Sequence, residues 1–196
     1  LIYFTADLHF GHENIIRYCN RPFRTAKEMD ATLMDNWNDT VNPNDEVYIL
    51  GDLTMKSPDR AHEILSTLNG RKYFIRGNHD RFLNNYESFK SDLVWIKDYF
   101  ILWCEGQKFV LFHYPIAEWD GFFRGAIHLY GHIHNSSVSL ARVDGTGLAF
   151  NVGVDCNDFR PVSMEHAYAW RKKICKGDRK NIRRCTASVV EIRGPN

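Results

Sequence analysis

Short runs of β-branched and aromatic residues, separated by polar turns, recur along the chain. They predict strands at 2–6, 46–50, 72–76, 100–104, 108–112, 126–130, 148–152 and 188–192. Glu105-Gly106-Gln107 between two of these runs reads as a hairpin turn. Helical periodicity appears between the early strands. Met29, Leu33 and Trp37 fall at i, i+4 and i+8 on one face. Thr25-x-x-Glu28 ahead of them is a capping box, whose hydroxyl and carboxylate satisfy free amides of the first turn. It predicts a helix reaching about residue 37. Ser57-Pro58 supplies a cap and a proline at the first helical position, and Gly70 a C-terminal stop. Another helix is expected after Ser163. Early alternation of strand and helix suggests parallel pairing, while the later hairpins suggest antiparallel strands. The expected class is α/β, a sandwich of mixed sheets.

The 196 residues are 44% hydrophobic and 25% charged, an ordinary globular composition. It excludes collagen-like, disordered and disulfide-rich classes. One domain is expected over 1–196. No apolar run approaches the roughly 20 residues needed to span a bilayer, so no membrane partner is expected. Residues 1–7 have no basic segment ahead of an apolar one and do not resemble a signal peptide. Five cysteines, an odd number with no C-x-x-C pair, suggest free thiols and a cytoplasmic location. The net charge of +1 is unevenly spread. Residues 171–184 hold eight Lys/Arg and only Asp178 as an acid, leaving 17 basic against 23 acidic residues elsewhere. That basic segment reads as a solvated helix and tail, or as a contact for nucleic-acid phosphates.

Five of the expected strands end in Asp, His or Asn. The terminal strings are Asp7-Leu8-His9-Phe10-Gly11-His12, Gly51-Asp52, Gly77-Asn78-His79-Asp80, His113 and Gly131-His132-Ile133-His134. In open α/β sheets ligands bind outside these strand ends. Residues i and i+2 of an extended segment point the same way, so Asp7 and His9 can share one ion if the chain stays extended. The same holds for His132 and His134, unless two adjacent ions divide them. Imidazoles, carboxylates and one amide oxygen, without a thiolate, suit Mn, Fe or Zn. Seven candidate ligands are too many for one tetrahedral ion. They suit two ions sharing a carboxylate, about 3.5–4 Å apart, the arrangement used for in-line displacement at phosphorus. Two divalent cations against two carboxylates and a hydroxide leave the site positive, which attracts an anion.

The ordered set D-x-H, G-D, G-N-H-D, H and G-H-x-H resembles the calcineurin-like metallophosphoesterase superfamily, and in particular its small bacterial and phage branch. The resemblance implies a four-layer fold, two mixed sheets flanked by helices. It also implies that Asp7, His9 and His134 hold one metal, that Asn78, His113 and His132 hold a second, and that Asp52 bridges both. Mn or Fe is favoured. A hydroxide between the ions would attack phosphorus, and His79 would stabilise the developing charge or protonate the leaving oxygen. The implied activity is hydrolysis of a phosphomonoester or phosphodiester, so the expected partner is a phosphate-ester substrate. Two alternatives stand beside it: a nuclease or cyclic-nucleotide phosphodiesterase, and a catalytically silent binding scaffold. Such scaffolds usually lose ligands, and none is missing here.

Several neighbours carry two readings each. His12 touches substrate or caps the next helix. Asp80 orients His79 or caps the following turn. Arg81 and Arg21 grip a phosphate oxygen bidentately or form surface salt bridges. Trp119, with Phe122 and Phe123, stacks a nucleobase or packs its own loop. Asn151, Asp155 and Asn157 are expected to brace the site through hydrogen bonds, and Cys156 to be a buried thiol. His128 is expected to be structural, and His62 and His166 to lie on the surface.

Overall fold

A computed structural model of the chain describes residues 1–84, 86–136 and 148–175. In the first sheet, β1 (Ile2–Thr5), β2 (Glu46–Ile49), β3 (Arg71–Ile75) and β4 (Leu93–Lys97) run parallel. Parallel neighbours need crossovers. The crossovers here are α1 (Glu13–Tyr18) with α2 (Ala26–Thr40), then α3 (Pro58–Thr67), then two 3-10 turns (Arg81–Asn84 and Tyr86–Phe89). In the second sheet, β5 (Tyr99–Cys104) pairs antiparallel with β6 (Gln107–Phe112). β7 (Ile127–Tyr130) and β8 (Leu148–Asn151) follow β6 in parallel. The short β9 (Val162–Ser163) returns antiparallel to β1, giving strand orders β4-β3-β2-β1-β9 and β5-β6-β7-β8. The later strands are therefore mostly parallel, against expectation. The excursion 113–126 carries the chain back before β7 starts, so β7 runs the same way as β6. β4 escaped notice because it lies one residue before β5, and the run 93–104 is apolar almost throughout.

The expected caps form. Thr25 Oγ1 accepts from the Glu28 amide at 3.1 Å, while the Glu28 carboxylate reaches back one residue further than a capping box does, to the Arg24 amide at 2.9 Å. Ser57 Oγ caps α3 through the Arg60 amide, with Pro58 beginning the helix. Ser163 Oγ accepts from the His166 amide at the start of α4 (Met164–Cys175). The basic residues from 176 onward and the strand expected at 188–192 lie outside the described residues.

Three apolar layers hold these elements. Phe4, Leu50 and Ile75 of the first sheet meet Leu111, Ile127 and Leu129 of the second in a core closed by Ala167 of α4. On its other face the first sheet buries Val47, Ile49 and Phe74 against Met29, Leu33, Trp37 and Ile64 of the helices. Loop 114–126 covers the outer face of the second sheet, with Trp119 packed on Val110 and Ala126. Trp119 is 6% exposed and its indole N–H donates to Ala126 O at 3.0 Å, so it packs the loop and is not available to stack a substrate base.

Candidate metal centre

The strands β1, β2, β3, β6, β7 and β8 all deliver their C-terminal ends to one edge of the sandwich, where they turn sharply. Asp7, His9, Asp52, His132 and His134 have φ between 51° and 70°, the left-handed region that non-glycine residues rarely adopt. The chain therefore does not stay extended past Asp7 or His132. Alternate-residue geometry is not what aims these side chains. Each left-handed residue redirects the backbone so that side chains from both sheets converge.

They converge in two groups, with a third set, Cys19 and Asp155 around the same His134, behind the first. Asp7, His9 and His134 place one ligand atom each within 4.8 Å of one another, and so do Asp52, His113 and His132. His132 and His134 are thus divided between the groups. Asp52 stands between them. Its Oδ1 accepts from the His79 amide at 2.9 Å, and its Oδ2 lies 3.6 Å from His9 Nε2 and 3.5 Å from His113 Nε2.

The first group is buried and braced. Asp7 is fully buried, and both of its carboxylate oxygens face the His132 amide at 2.9 Å. Burial pushes its pKa up to about 7 despite that amide and the His134 charge. A side chain at Gly131 or Gly153 would approach Asp7 Oδ2 to 2.7 Å, so only glycine leaves room for this carboxylate. His134 Nδ1 lies 2.8 Å from Asp155 Oδ2. Burial opposes a charge on His134. Hydrogen bonds with Asp155 and Cys19 and the Asp7 charge outweigh it, and its pKa rises to about 10. Asp155 in turn receives Arg21 through two parallel bonds, Nε to Oδ1 and Nη2 to Oδ2, both 2.8 Å. Arg21 also donates to the carbonyls of Leu8 and Asp7. With its side chain fully buried, Arg21 cannot grip a phosphate; it locks the Asp7–His9 turn to the segment after β8.

The second group is as buried as the first, but an exposed residue adjoins it. Asn78 is exposed, and its Oδ1 lies 2.9 Å from His113 Nε2 and 3.0 Å from His132 Nδ1. His113 Nδ1 faces Leu50 O at 2.7 Å, and a carbonyl can only accept. Burial lowers the His113 pKa, so the ring is neutral and its one proton sits on Nδ1. Its Nε2 lone pair therefore points at two further acceptors, Asn78 Oδ1 and Asp52 Oδ2. In the first group both nitrogens of His9 are buried without a partner, and burial drives its pKa far down. Acceptors that converge without a donor are costly unless a cation stands among them. The donor set of nitrogen and oxygen atoms fits a divalent metal ion in each group.

Other candidates sort differently. His79 is half-buried at the rim, its ring centroid 5.5 Å from that of His9. His12 begins α1 without a side-chain cap; its ring lies 5.5 Å from His9 and its buried Nδ1 has no partner. Asp80 does not reach His79 through a hydrogen bond in the structure. Its buried carboxylate accepts the amides of Asp52, Leu53 and Gly77 at 2.7–2.9 Å, tying the β2 and β3 turns together. Burial and the Asp52 charge push its pKa up to about 7 against those three amides. Arg81 is exposed two residues past His79. Cys156 Sγ contacts His134 O, and Asn151 Nδ2 donates to the same carbonyl. Sequence reasoning missed Tyr114, whose ring meets the His132 and His113 rings edge-on at 4.6 and 4.9 Å. Its only signal was adjacency to His113. His128 is buried between Val110 O and Tyr114 O, and burial lowers its pKa to about 4.

In comparison with known families, residues 1–164 match the calcineurin-like phosphoesterase superfamily domain. The chain belongs to that superfamily. An uncharacterized protein of Methanocaldococcus jannaschii is 39% identical over 167 residues, 84% of this chain and 87% of its own length. The Gene 66 protein of Mycobacterium phage L5 is 40% identical over 81 residues, 40% of this chain and 39% of the phage protein. A solved structure of a protein of unknown function from Aquifex aeolicus superposes with a TM-score of 0.70 at 29% identity, covering 86% of this chain and 98% of the other. The calcineurin-like match contains every strand end that contributes to the two groups, as well as Asp155 behind them. No described helix is long and apolar enough to cross a membrane.

Proposed function

We propose that this calcineurin-like protein hydrolyses phosphate esters with two divalent cations, Mn or Fe in preference to Zn. One group is Asp7, His9 and His134, the other Asn78, His113 and His132, and Asp52 belongs to both. The observation that carries the reading is the position of Asp52 Oδ2, 3.6 and 3.5 Å from two imidazole nitrogens of opposite groups. A single carboxylate oxygen between two buried imidazole nitrogens suits a bridging ligand. When bound, such cations draw the phosphate in and make water a nucleophile at neutral pH.

The chain's own residues do the rest. The Asp52 carboxylate is oriented by the His79 amide, which leaves Oδ2 free to face both groups. Leu50 O fixes the tautomer of His113, so its Nε2 lone pair points inward, and Asp155 holds the His134 ring through Nδ1, leaving its other proton to be given up when a cation binds. His79 is held at the rim by the same amide that orients Asp52. From there its ring is positioned to protonate the oxygen of the departing alcohol. The strained turns at Asp7, His9, Asp52, His132 and His134 are maintained by the sheets beneath them, which keeps the ligand directions fixed before substrate arrives.

The test is elemental analysis of protein purified without chelator, followed by assay on p-nitrophenyl phosphate and bis-(p-nitrophenyl) phosphate with added Mn²⁺. About two ions per chain and turnover of at least one ester are expected. No bound metal and no turnover with any divalent ion would overturn the proposal and favour a binding scaffold.

A further inference from the structure

Beside the centre, a cleft of about 670 Å³ opens between α2 and α3 and begins at Gly11, next to His12. Its lining is basic in a particular way. Asp30 spends one oxygen on the Gly11 amide at 2.8 Å and the other on Arg60 at 3.3 Å. Arg60 also binds Glu63 at 3.0 Å. Both acids of the cleft are thus satisfied by groups within it. The side chains of Lys27 and Lys56 are exposed, line the same cleft and make no hydrogen bond or ion pair among the described residues. Arg71 and Arg124 are engaged with Glu46 and Asp120, whereas Arg24 and Arg81 are exposed single cations; among the described residues only Lys27 and Lys56 pair this freedom with a shared cleft.

The route of Lys56 is built into the backbone. Its side chain lies across Gly11, where an added Cβ would come within 2.8 Å of Lys56 Cε. Gly11 also has φ +72°, which glycine adopts without strain. The turn before His12 is therefore shaped to let Lys56 pass over it, and the Lys56 charge acts on His12. Thr54 anchors the start of this route, its Oγ1 donating to Phe10 O at 2.9 Å and accepting from the Lys56 amide at 3.1 Å. Ala31 and Met34 give the cleft an apolar floor.

We propose that this cleft is a second phosphate subsite. Lys56, with Lys27 further out, holds a phosphate other than the one being hydrolysed, while the floor takes the apolar part of the linker between them. The inference rests on the phosphoester reading above and narrows it. The substrate class is a phosphoester that carries a further phosphate on the same molecule.

The probe is a pair of chromogenic diesters, the p-nitrophenyl ester of thymidine 5′-phosphate with and without a 3′-phosphate, assayed with Mn²⁺ at low and high salt. The 3′-phosphate is expected to lower KM about fivefold to tenfold at low salt, the worth of one or two charge-assisted contacts, and less at high salt. Lys56→Ala should remove most of that preference, Lys56→Arg should retain it, and Lys27→Ala should reduce it partly. Lys56 is exposed, so these variants are expected to fold, and circular dichroism checks it. Equal KM values for the two wild-type substrates, or a preference unchanged in Lys56→Ala, would overturn the subsite while leaving the hydrolase reading standing. No turnover of either diester would overturn the subsite, and the hydrolase reading falls with it only if p-nitrophenyl phosphate and bis-(p-nitrophenyl) phosphate are not turned over either.

Discussion

The two candidate ligand groups lie side by side with Asp52 between them, yet they are braced differently. Around Asp7, His9 and His134 the protein spends buried charge: an Arg21–Asp155 pair with both side chains out of solvent, a carboxylate behind His134, and glycines where any side chain would collide with Asp7. Around Asp52, His113 and His132 no such ion pair is used: the bracing comes from main-chain groups and the buried Asp80 carboxylate, with Gly51 and Gly77 leaving room for His113 and Asp52. A main-chain carbonyl orients His113, and the amide of Asn78 sits in solvent between two imidazoles. One half is a rigid, charge-braced pocket. The other is as deeply buried except at Asn78, and is held mainly by backbone groups. A buried pair costs desolvation that only good geometry repays, so the first half depends on the Arg21–Asp155 contact, while the second depends on the amides that Asp80 ties together.

Breaking the shared member should have the largest effect. Asp52→Ala removes the one side chain that serves both halves. Turnover is expected to fall at least about a thousandfold, the scale of losing several kcal/mol of metal-assisted stabilisation. Bound metal should fall with it, and wild-type turnover in this variant would reject the bridging role. Next is the brace of the first half. Arg21→Met leaves the Asp155 carboxylate buried with His134 alone, and should cost about 3–5 kcal/mol in urea unfolding. An unchanged midpoint would show that the pair does not carry the turn. The second half is probed by Asn78→Ala, which should weaken one Mn²⁺ binding event about tenfold or more in calorimetric titration and leave the other in place. Equal weakening of both events would erase the distinction between the halves.

The smallest effect separates the halves by their protons. His134 has its pKa raised from the usual 6.5 to about 10. Its contribution to the stability of metal-stripped protein is full below pH 6.5 and is lost as pH rises through about 10. Asp7 and Asp80, both raised to about 7, act in the same direction and finish their own changes by about pH 8. The urea midpoint of chelator-treated protein should therefore fall between pH 7 and 9.5, and added Mn²⁺ should flatten the slope. His113 and His132 are pushed towards the neutral form by burial, so filling the second half should release no proton from them. Proton release follows from calorimetry in buffers of different ionisation enthalpy.

What could be read from the sequence was the order of chemical groups at the ends of strands, because strand-forming runs and their terminal Asp, His and Asn residues are local features. What was hidden depended on separation or on dihedral angle. Arg21 and Asp155 are 134 residues apart, and nothing in either neighbourhood announces the pair. Arg21 looked like a surface cation for that reason. The i, i+2 argument for Asp7 and His9 reached the right cluster through the wrong backbone, since φ of 58° and 53° is set by how the turns pack rather than by residue type. Asp80 sits beside His79 in sequence, but its carboxylate turns away to three amides on two other turns. The β6–β7 pairing was misjudged because direction depends on the path of 113–126 between them, and pattern alone says nothing of that path.

Each ligand group draws from both sheets. Asp7 and His9 follow β1 and meet His134 from beyond β7; Asp52 follows β2 and meets His113 and His132 from the second sheet. Two ions seated there would stitch across the seam where the halves of the sandwich face each other. Pulling those halves apart would then require breaking coordination bonds before any apolar surface is exposed. The loaded protein should accordingly escape from its folded state slowly, and its lifetime under protease should be governed by the rate at which the seam opens.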